Sequence, residues 1–370
     1  MIKFIFIGLA FLLSLALMPI IILFCKKFSL YDYTNARKIH SGNIPRLGGI
    51  GITVSFFAAS IIFLMQTKEI DLTNYIPILI AAFIIFAFAI LDDLLNLPAI
   101  VKLIVQLVAV SIVTVKGYRF TQIFSWHLPL ALSYILTFCW ILGVINAFNL
   151  IDGLDGLCGS LSITTITTLG ILYTFTHNSE STVCFILAAS ILGFLVFNWP
   201  PAKLFMGDNG SQFLGFMIAT IPLYTSDEVL EYNKFLIMVI LTAFPVFDTI
   251  AAIWRRIRDK KSILSPDRSH LHHKLLNLGY TKTNALYTID FMQILLCAAV
   301  LVSYFLGKEK GSALLLETLV FITMFFTIIH FTNRKVLMLK NAKNPEEAAK
   351  IHAPDDPVTE ENAEKEDIRN

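Results

Sequence analysis

The sequence predicts an all-α, polytopic integral membrane protein with about eleven transmembrane helices, and three observations carry that expectation. Of 370 residues, 56% are hydrophobic and 15% charged, with a mean hydropathy of +0.71. A soluble chain of this length and composition would expose large apolar patches. The apolar residues fall in runs approaching the roughly 20 that a helix needs to cross hydrocarbon. The charged and amide residues gather between those runs, in five clusters.

Taken in order, the predicted spans cover about 4–24, 47–66, 75–91, 99–115, 130–146, 157–175, 182–199, 209–224, 234–254, 285–305 and 313–331. The first is expected to be a retained span, because it is as long as a full crossing and Cys25-Lys26-Lys27 follows it without a small-residue cleavage site. The five cysteines are scattered and include no Cys-x-x-Cys pair, so neither a disulfide framework nor a zinc ribbon is expected.

Lysine and arginine set the orientation. Placing the loop after the first span inside puts fifteen of them in the inner loops and seven in the outer ones. The positive-inside rule then predicts an outer amino terminus and a cytoplasmic carboxyl terminus. With that orientation the polar clusters at 32–46, 92–106, 146–157, 203–212 and 254–284 all face the cytosol, although the spans between them alternate in direction. That is the pattern of one composite site. After the membrane domain, residues 1–335, the segment 344–370 holds nine acids against three basic residues, with prolines and little apolar content, and is expected to be a disordered acidic cytoplasmic tail.

Each cluster has a chemistry and a bland alternative. Asp92-Asp93 ends the third span, with Lys102 and Gln106 one turn apart in the fourth. Paired carboxylates can hold a divalent cation or act as a base, and a nearby lysine suits phosphate. The bland alternative is a helix end and the cap of the next helix, against which stands the presence of Lys102 and Gln106 inside an apolar helix. In Asn146-Ala-Phe-Asn149-Leu-Ile-Asp152-Gly-Leu-Asp155-Gly156, amides and carboxylates recur every third position, so a helical path would line them along one side. Such oxygen donors suit Mg²⁺, with Mn²⁺ as the alternative ion, and the glycines permit close backbone approach.

Asp208 opens the eighth span within Gly207-Asp-Asn-Gly-Ser211. A carboxylate there would repel a phosphate at the helix amino terminus unless a cation lay between them, which favours Asp208 as a metal ligand over a simple cap. The longest inner loop carries Arg255-Arg-Ile-Arg258 and Pro266-Asp-Arg268-Ser-His270-Leu-His272-His273, suited to a diphosphate or a sugar. Positive-inside bias alone also accounts for the arginine run. Asp248 lies at membrane depth in the ninth span, where a site role and a simple ion pair are both open. Asp32, Asn35, Arg37, Lys38, His40 and Arg46 either line the same pocket or form a plain basic loop.

Four motifs in order, Asp92-Asp-Leu-Leu-Asn-Leu97 with Lys102 and Gln106, Asn146 to Gly156, Gly207 to Ser211 and Pro266 to His273, resemble the polyprenyl-phosphate N-acetylhexosamine-1-phosphate transferase superfamily across roughly residues 1–335. The His-x-His-His form looks like the branch using UDP-N-acetylglucosamine and undecaprenyl phosphate. The resemblance implies a Mg²⁺-dependent glycosyl-1-phosphate transferase of a bacterial plasma membrane, acting at the first membrane step of a surface polysaccharide such as O-antigen. It implies metal ligation by Asp208 with Asn149, and catalytic or positioning roles for Asp92, Asp93 and Asp152. It also implies substrate contacts from Lys102, Asn146, Asp155, His270, His272, His273, Arg268 and Arg46. The expected partners are the nucleotide sugar, the polyprenyl phosphate, the bilayer and, as an open option, a second copy in a homodimer; nucleic acid is not expected. The rivals are the same chemistry with another UDP-N-acetylhexosamine or a UDP-muramoyl-pentapeptide donor, and, in another class, a transporter of anionic cargo. A transporter would carry its polar groups near the midplane and show paired halves, whereas here they gather at one edge.

Overall fold

The computed structural model describes residues 2–32, 44–67, 72–95, 97–176, 180–223, 227–260, 262 and 270–343. Twelve helices follow one another among these: α1 (Ile2–Lys27), α2 (Gly48–Thr67), α3 (Leu72–Leu95), α4 (Ala99–Val115), α5 (Leu130–Ile151), α6 (Leu157–Phe175), α7 (Glu180–Asn198), α8 (Asp208–Thr220), α9 (Glu228–Leu241), α10 (Ala243–Arg258), α11 (Leu271–Asn277) and α12 (Lys282–Lys343). Two short antiparallel ribbons, Tyr31–Asp32 with Ile44–Pro45 and Gln122–Ile123 with Trp126–His127, are the only strands among the described residues. The all-α expectation holds, and the Asn35, Arg37, Lys38, His40 and Arg268 side chains and the tail at 344–370 lie outside the described residues.

Seven helices are long and apolar enough to cross a bilayer, or eight when the bent pair α9 and α10 counts as one. The expected count of eleven is not reached among the described residues, because several of the predicted runs are short, bent or joined. The fourth run is the 17-residue α4, and the eighth is the 13-residue α8 closed by a short 3₁₀ turn at Ile221–Leu223. Runs ten and eleven are the two halves of α12, separated at Gly307, whose φ of 79° is not helical. The first half runs alongside α6, with Asp290 on Ser160 at one end and Tyr304 stacked on Phe175 at the other. The second half returns, setting Phe325 and Phe326 against Phe244 of α10.

The ninth run breaks because Pro245 lacks an N–H and its ring would meet the carbonyl of residue 241. The chain therefore leaves α9 at Leu241, and α10 starts again at an angle of 68°.

At the centre stands α8, in which every residue from Asn209 to Thr220 is buried. A helix apolar on all sides belongs inside a larger assembly, and α8 packs on α5, α3 and α2. Its amino terminus meets the carboxyl ends of α3 and α5 and the first turns of α4, so the polar clusters that are far apart in sequence share one end of the bundle.

Candidate active site

The segment before α8 is fixed by backbone pairing: Phe205 N–H donates to the Pro45 carbonyl at 2.7 Å, while Gly48 and Gly49 N–H donate to Phe205 and Met206 carbonyls at 2.9 and 2.8 Å. Gly207 follows at φ 79°, and a side chain there would also strike the Arg46 carbonyl. Only glycine tolerates both constraints. The turn delivers the first two amides of α8 onto a carboxylate from another helix. Asp93 accepts from Asp208 N–H at 3.1 Å, from Asn209 N–H at 2.9 Å and from Asn209 Nδ2 at 2.6 Å. Arg46, expected on the substrate, donates to the backbone carbonyl of Asp93.

The sequence suggests that a carboxylate at this helix amino terminus conflicts with a phosphate there. In the structure the amino terminus is already taken, because Asp93 from α3 is the anion that caps α8. Asp208 therefore does not cap its own helix, and its side chain is left to meet other groups. It contacts Lys102 Nζ at 3.2 Å and Gln212 Nε2 at 3.4 Å, and it shares hydrogen bonds with Asp92 and Asn149. Lys102 also pairs with Asp92, so one ammonium holds two carboxyl groups that touch each other. Asp92 is further fixed by Leu97 N–H at 2.9 Å.

Behind this cluster lies a ladder of amides. Asn146 Nδ2 donates to Gln106 Oε1 at 2.9 Å, and Gln106 Nε2 donates to Gln212 Oε1 at 3.1 Å. Asn149 Nδ2 donates to Ser211 Oγ at 3.1 Å. Gln212 is absent from the sequence-derived set, yet a glutamine one turn after Asp208 inside an apolar helix was a readable signal.

The expectation that Asn146, Asn149, Asp152 and Asp155 line one side needs correction. It holds for the first two, which lie on α5. The helix ends at Ile151, Asp152 leaves helical geometry with ψ 47°, and Asp155 turns to accept Ala202 N–H at 3.1 Å. Asn198 reinforces that second branch by accepting from Gly156 N–H at 3.0 Å and donating to the Leu204 carbonyl at 2.8 Å.

The histidines meet this branch. His272 lies so close over Gly153 that an added Cβ would be 2.8 Å from its Cε1. Burial, then neighbouring His273, hold the His272 imidazole down to about 3 despite the opposing pull of Asp248. His272 is therefore neutral at ordinary pH. His270 stacks beside it, with centroids 6.0 Å apart, and His273 lies at 4.4 Å on the other side.

Asp248, buried on α10, organises this group. Its Oδ2 lies 2.9 Å from His270 Nδ1 and its Oδ1 accepts Leu271 N–H at 2.9 Å. We assign the proton to His270 Nδ1, because a carboxylate only accepts. Asp248→Asn should lower turnover by about 10- to 100-fold, the usual range for residues that orient a functional histidine. Steady-state kinetics beside a melting curve check this, and unchanged kcat and KM would remove Asp248 from the site.

Among the described residues no group of three or more His, Cys, Asp or Glu side chains is arranged as a metal site. Asp208 instead meets one other carboxyl, that of Asp92, the Asn149 amide and the Lys102 ammonium. The oxygens of Asp208, Asp92 and Asn149 are the donors available to a cation here. These are hard oxygen donors few enough to leave room for water and phosphate, a set that fits Mg²⁺.

Known sequences resemble this chain over most of its length. A family model described as glycosyl transferase family 4 matches residues 75–226. The chain is similar to a "Probable undecaprenyl-phosphate N-acetylglucosaminyl 1-phosphate transferase" of Bacillus subtilis (strain 168), 34% identical over 296 residues, 76% of this chain and 82% of the relative. It is similar to the "Undecaprenyl-phosphate alpha-N-acetylglucosaminyl 1-phosphate transferase" of Escherichia coli (strain K12), 31% identical over 289 residues, 75% and 76% of the two chains. A "Decaprenyl-phosphate N-acetylglucosaminephosphotransferase" of Mycobacterium leprae (strain TN) is 27% identical over 334 residues, 82% and 84% of the two.

Proposed function

The chain belongs to glycosyl transferase family 4, and from that premise we propose that it transfers N-acetylglucosamine 1-phosphate from UDP-N-acetylglucosamine to undecaprenyl phosphate, releasing UMP. An acceptor phosphate oxygen attacks the β-phosphorus, the bond to UMP breaks, and a lipid-linked sugar diphosphate forms. The observation that carries this reading is the Lys102 ammonium set between the touching carboxyls of Asp92 and Asp208 at the meeting point of four helices.

Both reactants are anionic, so the chain's work is positioning and neutralisation. Lys102 binds phosphate, and Asp92 orients the acceptor or takes its residual proton, a small task because a phosphate monoester's second pKa is about 6. Asp93 holds α8 so that Asp208 faces the reactants, and Asp152 binds or positions substrate. His270, His272, His273 and Arg268 bind sugar and diphosphate, while Asn146 and Asp155 serve the nucleotide side. Asp208 and Asn149 would hold Mg²⁺, or Mn²⁺ in its place, which when bound neutralises phosphate charge and favours the departure of UMP.

The protein spans the bilayer several times; the family resemblance supports a bacterial plasma-membrane setting, and the positive-inside pattern supports a cytoplasmic site, the amino terminus outside and the carboxyl terminus inside. The product would initiate a cell-surface polysaccharide. The test is incubation of purified protein with Mg²⁺, undecaprenyl phosphate and a panel of UDP-sugars. We expect UMP release with UDP-N-acetylglucosamine to exceed that with other donors by about 10²-fold or more, the discrimination of a site built to hydrogen-bond its sugar. Preference for another donor, or no release with any, would overturn the reading.

A further inference from the structure

Between α10 and the returning half of α12 lies a groove of about 410 Å³ that the proposed reaction does not use. Its walls are apolar, with Phe247, Ile250 and Trp254 on α10 facing Phe326 and Phe331 on α12. Ile250, Trp254 and Phe331 are also more than half exposed at the protein's outer surface, so the groove opens sideways, where the bilayer lies. At one end the lining changes to Arg255, Arg258, Lys274 and His330, with Arg334 within electrostatic reach of His330. Asp259 accepts from Arg258 Nε at 2.9 Å beside this end, and the described residues that line the groove include no acid. An apolar slot opening to lipid with a cationic head end is complementary to an anionic amphiphile.

We propose that this groove binds an anionic phospholipid of the surrounding membrane, its phosphate against Arg255, Arg258 and Lys274 and its chains along Phe247, Ile250 and Phe326. None of Asp92, Lys102, Asn149 or Asp208 lines the groove, so a headgroup bound here is distinct from a phosphate held at Lys102. α10 itself favours an interfacial seat: it departs from α9 by 68°, ends in three arginines and carries an exposed tryptophan beside them. Because Lys274 rides on α11, the helix that begins at the histidines, a bound headgroup ties α10, α11 and α12 together at the rim of the site.

The experiment is a native mass spectrometry titration of the full-length protein with phosphatidylglycerol and phosphatidylcholine of identical chains, repeated on the Arg258→Gln/Lys274→Gln protein. About 1 kcal/mol for each of the three basic side chains near the headgroup gives an expected preference of about 10²-fold for phosphatidylglycerol, falling to about 5-fold in the double variant, which keeps Arg255. Equimolar undecaprenyl phosphate should leave the bound phosphatidylglycerol in place. Equal retention of the two lipids, an unchanged preference in the variant, or displacement by undecaprenyl phosphate would each overturn the proposal, the last by making the groove part of the acceptor's path. Should the double variant misfold, Ala251→Trp fills the groove with every charge intact. It should expel phosphatidylglycerol, and retention at the wild-type level would equally overturn the assignment. Sugar transfer is not the readout, so failure here is distinguishable from failure of the proposed reaction.

Discussion

Asp208→Asn is expected to lower UMP release by about 10³-fold, the scale of removing a preorganised charge from a phosphoryl-transfer site, in a protein that still inserts and folds. The two halves of that expectation rest on different bonds. The amide is isosteric with the carboxylate, and the cap of α8 is supplied by Asp93, so the substitution leaves the helix amino terminus satisfied. What disappears is the charge facing Lys102, Asn149 and the reactants. Asp92 and Asp208 share a hydrogen bond and Lys102 pairs with both, so the amide still meets Asp92 and gives up its pairing with a part-exposed ammonium. The melting temperature should therefore stay level or fall slightly, a small structural change against a large functional loss. Assaying nucleotide release at saturating Mg²⁺ beside a thermal melt decides it. Activity within about 10-fold of wild type, a loss too small for a residue that holds the metal, would remove Asp208 from the centre of the site.

How much of this was legible in the sequence depends on the range of the interaction. Lys102 and Gln106 stand out because a polar side chain inside an apolar helix needs a reason, and the structure puts both among other polar groups. Asp93 gave no hint of its partner, because a carboxylate capping a helix 115 residues away leaves no periodic trace. Asp155 is similar: regular spacing placed it with Asn149, but the chain leaves the helix at Ile151 and its carboxylate finds Ala202 instead. Hydropathy saw the apolar runs and not their ends. It could not show that α8 stops at Thr220, where the chain tightens into a 3₁₀ turn that is itself buried. The bend between α9 and α10 was readable in Pro245, since a proline three residues into a helix marks its start.

Asp93→Ala should lower both stability and activity, and the coupling of the two is the point. The Asp93 side chain is buried and accepts three hydrogen bonds from the first turn of α8. Its removal leaves two backbone amides and the Asn209 amide without that acceptor, where both Asp93 and Asn209 are buried. Leaving buried donors unsatisfied costs about 1–3 kcal/mol, and at a few degrees per kcal/mol for a large domain the melting temperature should fall by roughly 2–10 °C. α8 then loses the anchor that aims Asp208 at Lys102, so turnover falls with stability even though Asp93 makes no direct contact with Lys102 in the structure. Asp93→Asn separates the causes. An amide oxygen still accepts from one or two of the donors while its NH₂ opposes the third, so it should recover part of the melting temperature and a corresponding part of the activity. A protein of wild-type stability with no turnover would show instead that Asp93 acts directly on substrate, and the capping account of α8 would have to be given up.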